Sequence, residues 1–241
     1  MNINDLEEKI RQSESMSLSA AFPILMRKVY LWMAMALAIS GLTAYSVAAS
    51  PGLVQLIYSN SLVMWGCIIG ELVMVWKISN SVAKENRSLA TTTLMFIIFS
   101  ALNGVTLSSI FVLFAPAAIV KTFVITAGTF GVMAAYGYFT SRDLTKIGGL
   151  LFMALIGVII ASVVNMFLHS SGLDLVVSII GVLVFVGLTA WDSQQIKMSL
   201  AMAPDLGETS QKLALTGALS LYLDFVNLFL YLLRFFGGSR D

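Results

Sequence analysis

Seven long apolar runs follow one another along this chain, and they constrain its fold more than any other feature. A helix needs about 20 mostly apolar residues to cross the hydrocarbon core of a bilayer. Runs of about that length lie at residues 29–49, 55–77, 89–114, 117–140, 147–169, 175–197 and 214–236. Only 11% of the 241 residues are charged, against about 25% in soluble domains. The sequence therefore predicts an all-α integral membrane protein, a bundle of seven transmembrane helices.

The breaks between the runs have simple physical causes. Pro51 and Gly52 follow the first run, Pro116 separates the third from the fourth, and the polar stretch "KISNSVAKENRS" follows the second. Proline and glycine end helices, and polar stretches are not stable in hydrocarbon. We expect one membrane domain over residues 29–237 behind a polar N-terminal arm over residues 1–28.

Lysine and arginine are divided unevenly between the two sides of the predicted bundle. The side that holds the N-terminus carries Lys9, Arg11, Arg27, Lys28, Lys77, Lys84, Arg87, Arg142, Lys146, Lys197 and Lys212, and the other side carries Lys121, Arg234 and Arg240. Because cytoplasmic loops are richer in these residues, we expect a multi-pass protein with a cytoplasmic N-terminus and a C-terminus on the far side. The net charge of +1 and the lack of a basic block give no indication of nucleic-acid binding.

The last run, "ALSLYLDFVNLFLYLLRFFG", contains a carboxylate inside an apolar helix. An ionised Asp at the centre of a membrane helix costs roughly 2.5–3.5 kcal/mol even on insertion scales, and such residues usually mark a pathway or a proton site. Spacings of four and three residues place this aspartate on one helical face with other polar groups. The face consists of Ser220, Asp224, Asn227, Tyr231 and Arg234. We interpret Asp224 as functional. Ser220, Asn227 and Arg234, with Glu71 of the second run, are possible groups along an ion path. Hydrogen bonding to neighbouring helices is the alternative role for Ser220, Asn227 and Tyr231, and the one that we favour.

A second aspartate lies in the sixth run, in "GLTAWDSQQIK". Consecutive helices run antiparallel, and Asp192 and Asp224 lie at roughly 8 Å and 15 Å from the ends that share a loop. We therefore expect the two carboxyl groups to meet. Two carboxylates in a poorly solvated site cannot both ionise cheaply, so they should titrate as a unit. This arrangement predicts a pH-responsive gate.

Other polar groups within the runs have weaker interpretations. Glu71, in the second run, would neutralise a cation path, carry a proton or pair with Arg234. Polar stripes in membrane bundles more often hydrogen-bond neighbouring helices than bind ligands. We expect that packing role for two stripes, Ser100, Asn103 and Thr106 in the third run and Ser162, Asn165 and His169 in the fifth. Because His169 ends its run, we expect its side chain to be solvated.

The two aspartate stretches, together with "SALNGVTLSSIF" in the third run, resemble the transmembrane Bax inhibitor motif family, and its bacterial members in particular. The resemblance implies a bundle with the last helix at its centre and a pH-sensitive calcium leak. It also implies that Asp192 and Asp224 form the hydrogen-bonded pair that closes the path, and it matches Glu71 with an acid of the second helix. One departure is that "ISNSVAKENR" has no arginine in register with the one that pairs with the aspartates in some members.

Calcium is expected here as a permeant ion, and no cofactor is expected. Ca²⁺ takes six to eight oxygen ligands, with carboxylates as its usual protein donors. Asp192 and Asp224 with nearby hydroxyl and amide oxygens provide too few fixed ligands for tight binding. Weak, transient binding is what a permeation path requires.

Three other functions are alternatives to a calcium leak. An enzyme is disfavoured because one histidine and one cysteine do not make the usual metal or nucleophile sites. A proton-coupled transporter would also use buried acids. A regulatory protein in stress or cell-death protection would bind other membrane proteins. For the membrane, we expect a bacterial plasma membrane, with an intracellular eukaryotic membrane as the alternative.

Overall fold

The computed structural model describes residues 3–84 and 86–237, with side chains from Ala21 onward. Within these residues the chain forms eight α-helices. They are α1 (Ile3–Ala48), α2 (Pro51–Tyr58), α3 (Ser61–Ser79), α4 (Leu89–Leu113), α5 (Pro116–Phe139), α6 (Thr145–Leu168), α7 (Ser171–Ala201) and α8 (Glu208–Phe236). Seven of them, all except α2, are long and apolar enough to cross a membrane. The predicted seven-helix membrane bundle is thus confirmed.

The last helix is the centre of the bundle. α8 packs against α1, α3, α4, α5 and α7, and it has the largest buried share of the seven candidate spans. Its fully buried side chains include Leu215, Leu221, Tyr222 and Leu228. Because its neighbours surround it, polar groups on different sides of α8 reach different helices.

Several helix boundaries differ from those predicted. α1 begins at Ile3, α7 continues to Ala201 and α8 begins at Glu208, because helices continue beyond the apolar segment by which a membrane span is recognised. The second run is divided at residues 59–60. There the Asn60 side chain accepts a hydrogen bond from the Leu62 amide at 3.1 Å and so caps the start of α3.

Contacts between helix ends define two faces of the bundle. At the first, the Lys28 ammonium donates to Gln211 Oε1 at 2.7 Å, and Lys197 donates to the Tyr138 carbonyl at 2.7 Å. We call this the basic face, because the lysines and arginines assigned above to the N-terminal side lie toward it. The side chains of Lys9 and Arg11, and all of Arg240, lie outside the described residues. The cytoplasmic orientation of the N-terminus stays a prediction.

The opposite face holds the ends of α4, α6 and α8. There the Arg234 guanidinium contacts Asp174 at the start of α7, and the Lys121 ammonium lies 5.7 Å from the centre of the Phe236 ring. The last helix therefore passes from one face to the other, as expected for a seventh crossing.

Two glycines allow unusually close helix packing. A Cβ atom at Gly137 of α5 would overlap the backbone carbonyl of Ala190 on α7. One at Gly104 of α4 would lie 2.6 Å from the carbonyl oxygen of Ser40 on α1. Small residues at such crossings let membrane helices approach backbone to backbone. α6, by contrast, makes close backbone contacts with α7 alone among the helices that the structure describes, and it has little of its surface buried.

Candidate functional site

The carboxyl groups of Asp192 on α7 and Asp224 on α8 lie within hydrogen-bonding reach of each other. Asp192 lies about nine residues, or roughly 14 Å, before the end of α7. Asp224 lies about sixteen residues, or roughly 24 Å, into α8. Both carboxyl groups therefore lie further from these helix ends than the shorter predicted helices indicated. Since ionised carboxylates only accept hydrogen bonds, the contact becomes a hydrogen bond when one of the groups holds a proton.

Asp224 is the more enclosed of the two groups. Its side chain is 5% exposed, and its Oδ2 atom is buried without a hydrogen-bond donor among the described residues. Neither aspartate forms an ion pair with a lysine or arginine in the described part of the chain. A buried acceptor that lacks a donor is uncommon in proteins and often indicates strain, function or an unseen water or ion.

A cleft between α7 and α8 leads to the pair from the basic face. It has a volume of about 150 Å³, enough for several water molecules. Its polar lining consists of Asp192, Gln195, Ser199, Thr216 and Ser220. Ser220, a predicted path residue, therefore shares one cleft with Asp192. We call this the basic-face cleft.

A second cleft, between α6 and α8, lies toward the opposite face and has a volume of about 280 Å³. Three residues of the predicted stripe line it, namely Asn227, Tyr231 and Arg234, together with Ser162 of α6. We call this the opposite-face cleft. Ser220 and these three residues thus belong to different clefts, and Asp224 lies between them along α8.

An aromatic contact between α7 and α8 lies at the opposite-face cleft. The Tyr231 ring stacks on Phe185 of α7 with a centroid distance of 5.8 Å. A Cβ atom at Gly181, one turn before Phe185 in α7, would lie 2.7 Å from the Tyr231 ring. The absence of a side chain at Gly181 therefore lets Tyr231 lie flat against α7.

Glu71 lies in a separate hydrogen-bond network. Its carboxylate accepts hydrogen bonds from Thr106 at 2.8 Å and from the Asn103 amide at 3.1 Å. The Tyr222 hydroxyl donates to Asn103 Oδ1 at 2.7 Å and shares a hydrogen bond with the Ser40 hydroxyl at 2.6 Å. These residues, which we call the Glu71 network, join α1, α3, α4 and α8. Pairing of Glu71 with Arg234, one of three predicted alternatives, is wrong, because Arg234 contacts Asp174 near the opposite face.

The Glu71 network and the aspartate pair hold different sides of α8. Tyr222 and Asp224 are two residues apart, which places them about 200° apart around a helix. Asp224 therefore faces α7, while Tyr222 faces α1 and α4. Sequence reasoning missed Tyr222 because it lies outside the polar stripe. One signal in the sequence was available. Tyr222 lies two residues from Asp224 and so on another side of the same helix, where it can meet the polar stripe in "SALNGVTLSSIF".

The remaining polar stripes have local roles. Asn103 and Thr106 hydrogen-bond the neighbouring helix α3, as expected of packing residues, and the Ser100 carbonyl accepts from Ser40 of α1 at 2.7 Å. In α6 the stripe residues instead hydrogen-bond their own helix and the turn that follows it. The Ser162 hydroxyl donates to the Val158 carbonyl, and the Asn165 side chain accepts from the Ser170 amide. No group of three His, Cys, Asp or Glu side chains within the described residues is arranged to hold a metal ion.

The Arg234–Asp174 contact should contribute little to stability. The N–O distance is 3.0 Å, but the side chains are 44% and 50% exposed, and exposed ion pairs contribute about 0–1 kcal/mol. We expect Arg234→Gln to lower the melting temperature in detergent by no more than about 2–4 °C, the shift for about 1 kcal/mol in a chain of this size. A larger loss, also seen in Asp174→Asn and not additive in the double variant, would contradict this expectation.

The central helix α8 and its neighbour α7 bring two carboxyl groups together between two clefts. This arrangement defines a multi-pass membrane protein organised around a polar site. The sequence model of the family described as "Inhibitor of apoptosis-promoting Bax1" matches residues 23–241. The chain belongs to this Bax inhibitor-1-like family.

Its relatives are bacterial. The chain is 46% identical over 217 residues to the inner membrane protein YbhL of Escherichia coli (strain K12), with 89% of this chain and 92% of YbhL covered. It is 47% identical over 214 residues to an uncharacterized protein of Borreliella burgdorferi, with 89% and 91% covered. It is also 41% identical over 216 residues to protein RP147 of Rickettsia prowazekii, with 90% of each covered.

Proposed function

We propose that this protein is a calcium leak channel whose aspartate pair, Asp192 and Asp224, closes the path and responds to pH. One observation carries this proposal: the two carboxyl groups meet inside the bundle, with the basic-face cleft on one side along α8 and the opposite-face cleft on the other. Asp224 lies between the two clefts along α8 and lines neither of them, so a path that joins the clefts would be interrupted at the pair.

The chemistry of the lining suits a hard cation in transit. Carboxylate, hydroxyl and amide oxygens are the ligands that Ca²⁺ prefers. Asp192, Ser199, Thr216 and Ser220 supply such oxygens in the basic-face cleft, but far fewer charged ligands than a tight calcium site contains. An ion attracted to Asp192 would therefore remain able to leave, as conduction requires. A role in transport rather than catalysis follows, with calcium and protons as the ions involved and no resident cofactor.

Protons provide the gating chemistry. A single proton held between two carboxyl groups makes a hydrogen bond that joins α7 to α8. Its loss leaves two negative charges in a confined space, where like charges repel strongly. The protonation of the pair therefore changes both the α7–α8 contact and the attraction for a cation. For the membrane, the inner membrane location in the printed name of the Escherichia coli relative supports a bacterial plasma membrane.

Calcium flux into dye-loaded liposomes tests this function. Purified wild type, Asp192→Asn and Asp224→Asn would be compared from about pH 5.5 to about pH 8. We expect wild-type flux to exceed that of protein-free liposomes and to vary with pH, and we expect both variants to lose that variation. Asp143→Asn is the matched control, because Asp143 is exposed between α5 and α6, accepts a hydrogen bond from the Thr145 amide and lines neither cleft, and it should behave as wild type.

Different failures would overturn different parts of the proposal. Wild-type flux equal to that of protein-free liposomes at every pH would exclude a leak. Flux that keeps its pH dependence in both aspartate variants would show that the pair is not the sensor. Flux that stops when a proton gradient is collapsed would indicate coupled transport instead of a channel.

A further inference from the structure

α1 and α5 are neighbours that do not meet along their length. No backbone contact joins them among the described residues, and their side chains meet at the basic face, where Phe22 and Tyr138 stack at a centroid distance of 6.4 Å. From that contact toward the bilayer centre, an open groove of about 450 Å³ separates the two helices. In a membrane, such a lateral opening is in contact with lipid.

The floor of the groove is apolar and flat. Gly131 and Ala135 of α5 are exposed along it, and a Cβ atom at Gly131 would have no neighbour within 4 Å. Met26 and Tyr30 of α1 form one wall. Small residues between larger apolar walls leave a channel suited to a flexible hydrocarbon chain.

A cation that has no partner among the described side chains lies on the rim of the groove. Arg27 lines it and is exposed, and it forms no ion pair or hydrogen bond with another described side chain. Its neighbour Lys28, by contrast, donates to Gln211. Arg27 lies about six residues, or roughly 9 Å, from Ala21 at the start of the candidate span. A long arginine side chain at that depth reaches the headgroup region.

We infer that the groove between α1 and α5 seats one anionic glycerophospholipid, with its phosphate group on Arg27 and an acyl chain across Gly131 and Ala135. The guanidinium fork matches phosphate oxygens in two parallel hydrogen bonds. Basic pockets between membrane helices bind anionic headgroups in the same way. Tyr30 and Tyr138 place amphipathic rings where the headgroup meets the acyl chains. The binding of this lipid is independent of ion conduction.

Native mass spectrometry of the full chain tests the lipid site. Protein in detergent would be mixed with phosphatidylglycerol or phosphatidylcholine that carry the same acyl chains. We expect wild type to retain one phosphatidylglycerol molecule about fivefold more often than phosphatidylcholine, the factor expected for one basic residue near an anionic headgroup. Arg27→Gln should remove that preference, and Gly131→Leu should displace both lipids.

Two matched variants control for charge and size. Lys146→Gln removes another cation assigned to the basic-face side, and Gly149→Leu enlarges a glycine of α6 that also has no neighbour within 4 Å. Both should retain lipid as wild type does. Equal retention of the two lipids by wild type would overturn the inference, as would unchanged retention in Gly131→Leu. A dimer that Gly131→Leu disrupts, with no lipid bound to wild type, would assign the groove to a second copy of the chain instead.

Discussion

Gly137→Ala should strongly destabilise the folded protein. The added methyl group would overlap the backbone carbonyl of Ala190, and a backbone atom cannot avoid it by changing rotamer. α5 and α7 would have to separate along their whole interface. Overpacking typically costs 1–3 kcal/mol and occasionally more, so we expect a loss of about 3 kcal/mol or more. Size-exclusion profiles and melting curves in detergent would measure it.

Gly128→Ala is the matched control on the same helix. A Cβ atom at Gly128 would meet nothing within 4 Å, and alanine favours a helix interior over glycine by about 1 kcal/mol. This variant should be as stable as wild type or slightly more so. Combining Gly137→Ala with Ala190→Gly should bring no recovery, since the overlap involves the carbonyl of residue 190 and not its side chain. A Gly137→Ala variant that melts like wild type would refute the close α5–α7 packing.

Replacing Tyr222 should separate the contribution of its ring from that of its hydroxyl. The ring packs edge-on against Phe99 and Phe96 at centroid distances of 5.6 Å and 6.3 Å, and the side chain is fully buried. Tyr222→Ala should lower the free energy of unfolding by about 3–5 kcal/mol, as for other large aromatic residues. Tyr222→Phe keeps the ring and removes the donor to Asn103, which leaves a buried acceptor unpaired and costs about 1–3 kcal/mol.

A double-mutant cycle measures how much the hydrogen bond between Tyr222 and Asn103 contributes to the free energy of unfolding. Unfolding in mixed micelles would be compared for Tyr222→Phe, Asn103→Ala and the double variant, with Tyr136→Phe as the control because Tyr136 is 46% exposed. We expect a coupling energy of at least about 0.5 kcal/mol, the lower limit for residues in contact. Additive effects of the two substitutions would show that the hydroxyl contributes nothing through Asn103.

Much of this architecture could be predicted from the sequence because a bilayer imposes a length and a polarity on every crossing helix. The same constraint made Asp224 conspicuous, and the antiparallel arrangement of consecutive helices led from Asp224 to Asp192. Boundaries were less predictable. The polar segment 208–213 continues α8 beyond the apolar run, because hydrogen bonds within the backbone extend a helix regardless of hydropathy.

Contacts between helices distant in the sequence could not be predicted in this way. The partners of Glu71 depend on how α3 and α8 are rotated relative to α4, and a single sequence contains no measure of that rotation. The role of Tyr222 could not be predicted for the same reason. In the sequence it is a tyrosine among leucines, and only the packing of the helices brings Asn103 and Ser40 beside its hydroxyl. The groove between α1 and α5 is likewise a property of packing and not of either helix alone.

The single neighbour of α6 has a consequence for how the chain enters the membrane during synthesis. α6 is made before α7, so it must stay in the bilayer with no helix to pack against, and it contains the most apolar window of the seven spans. α8 is made last, when its five partners are already in place. A helix that inserts between helices already in the membrane can contain an aspartate that would be poorly tolerated in lipid alone. The order of translation thus permits the most polar part of the bundle to be its centre.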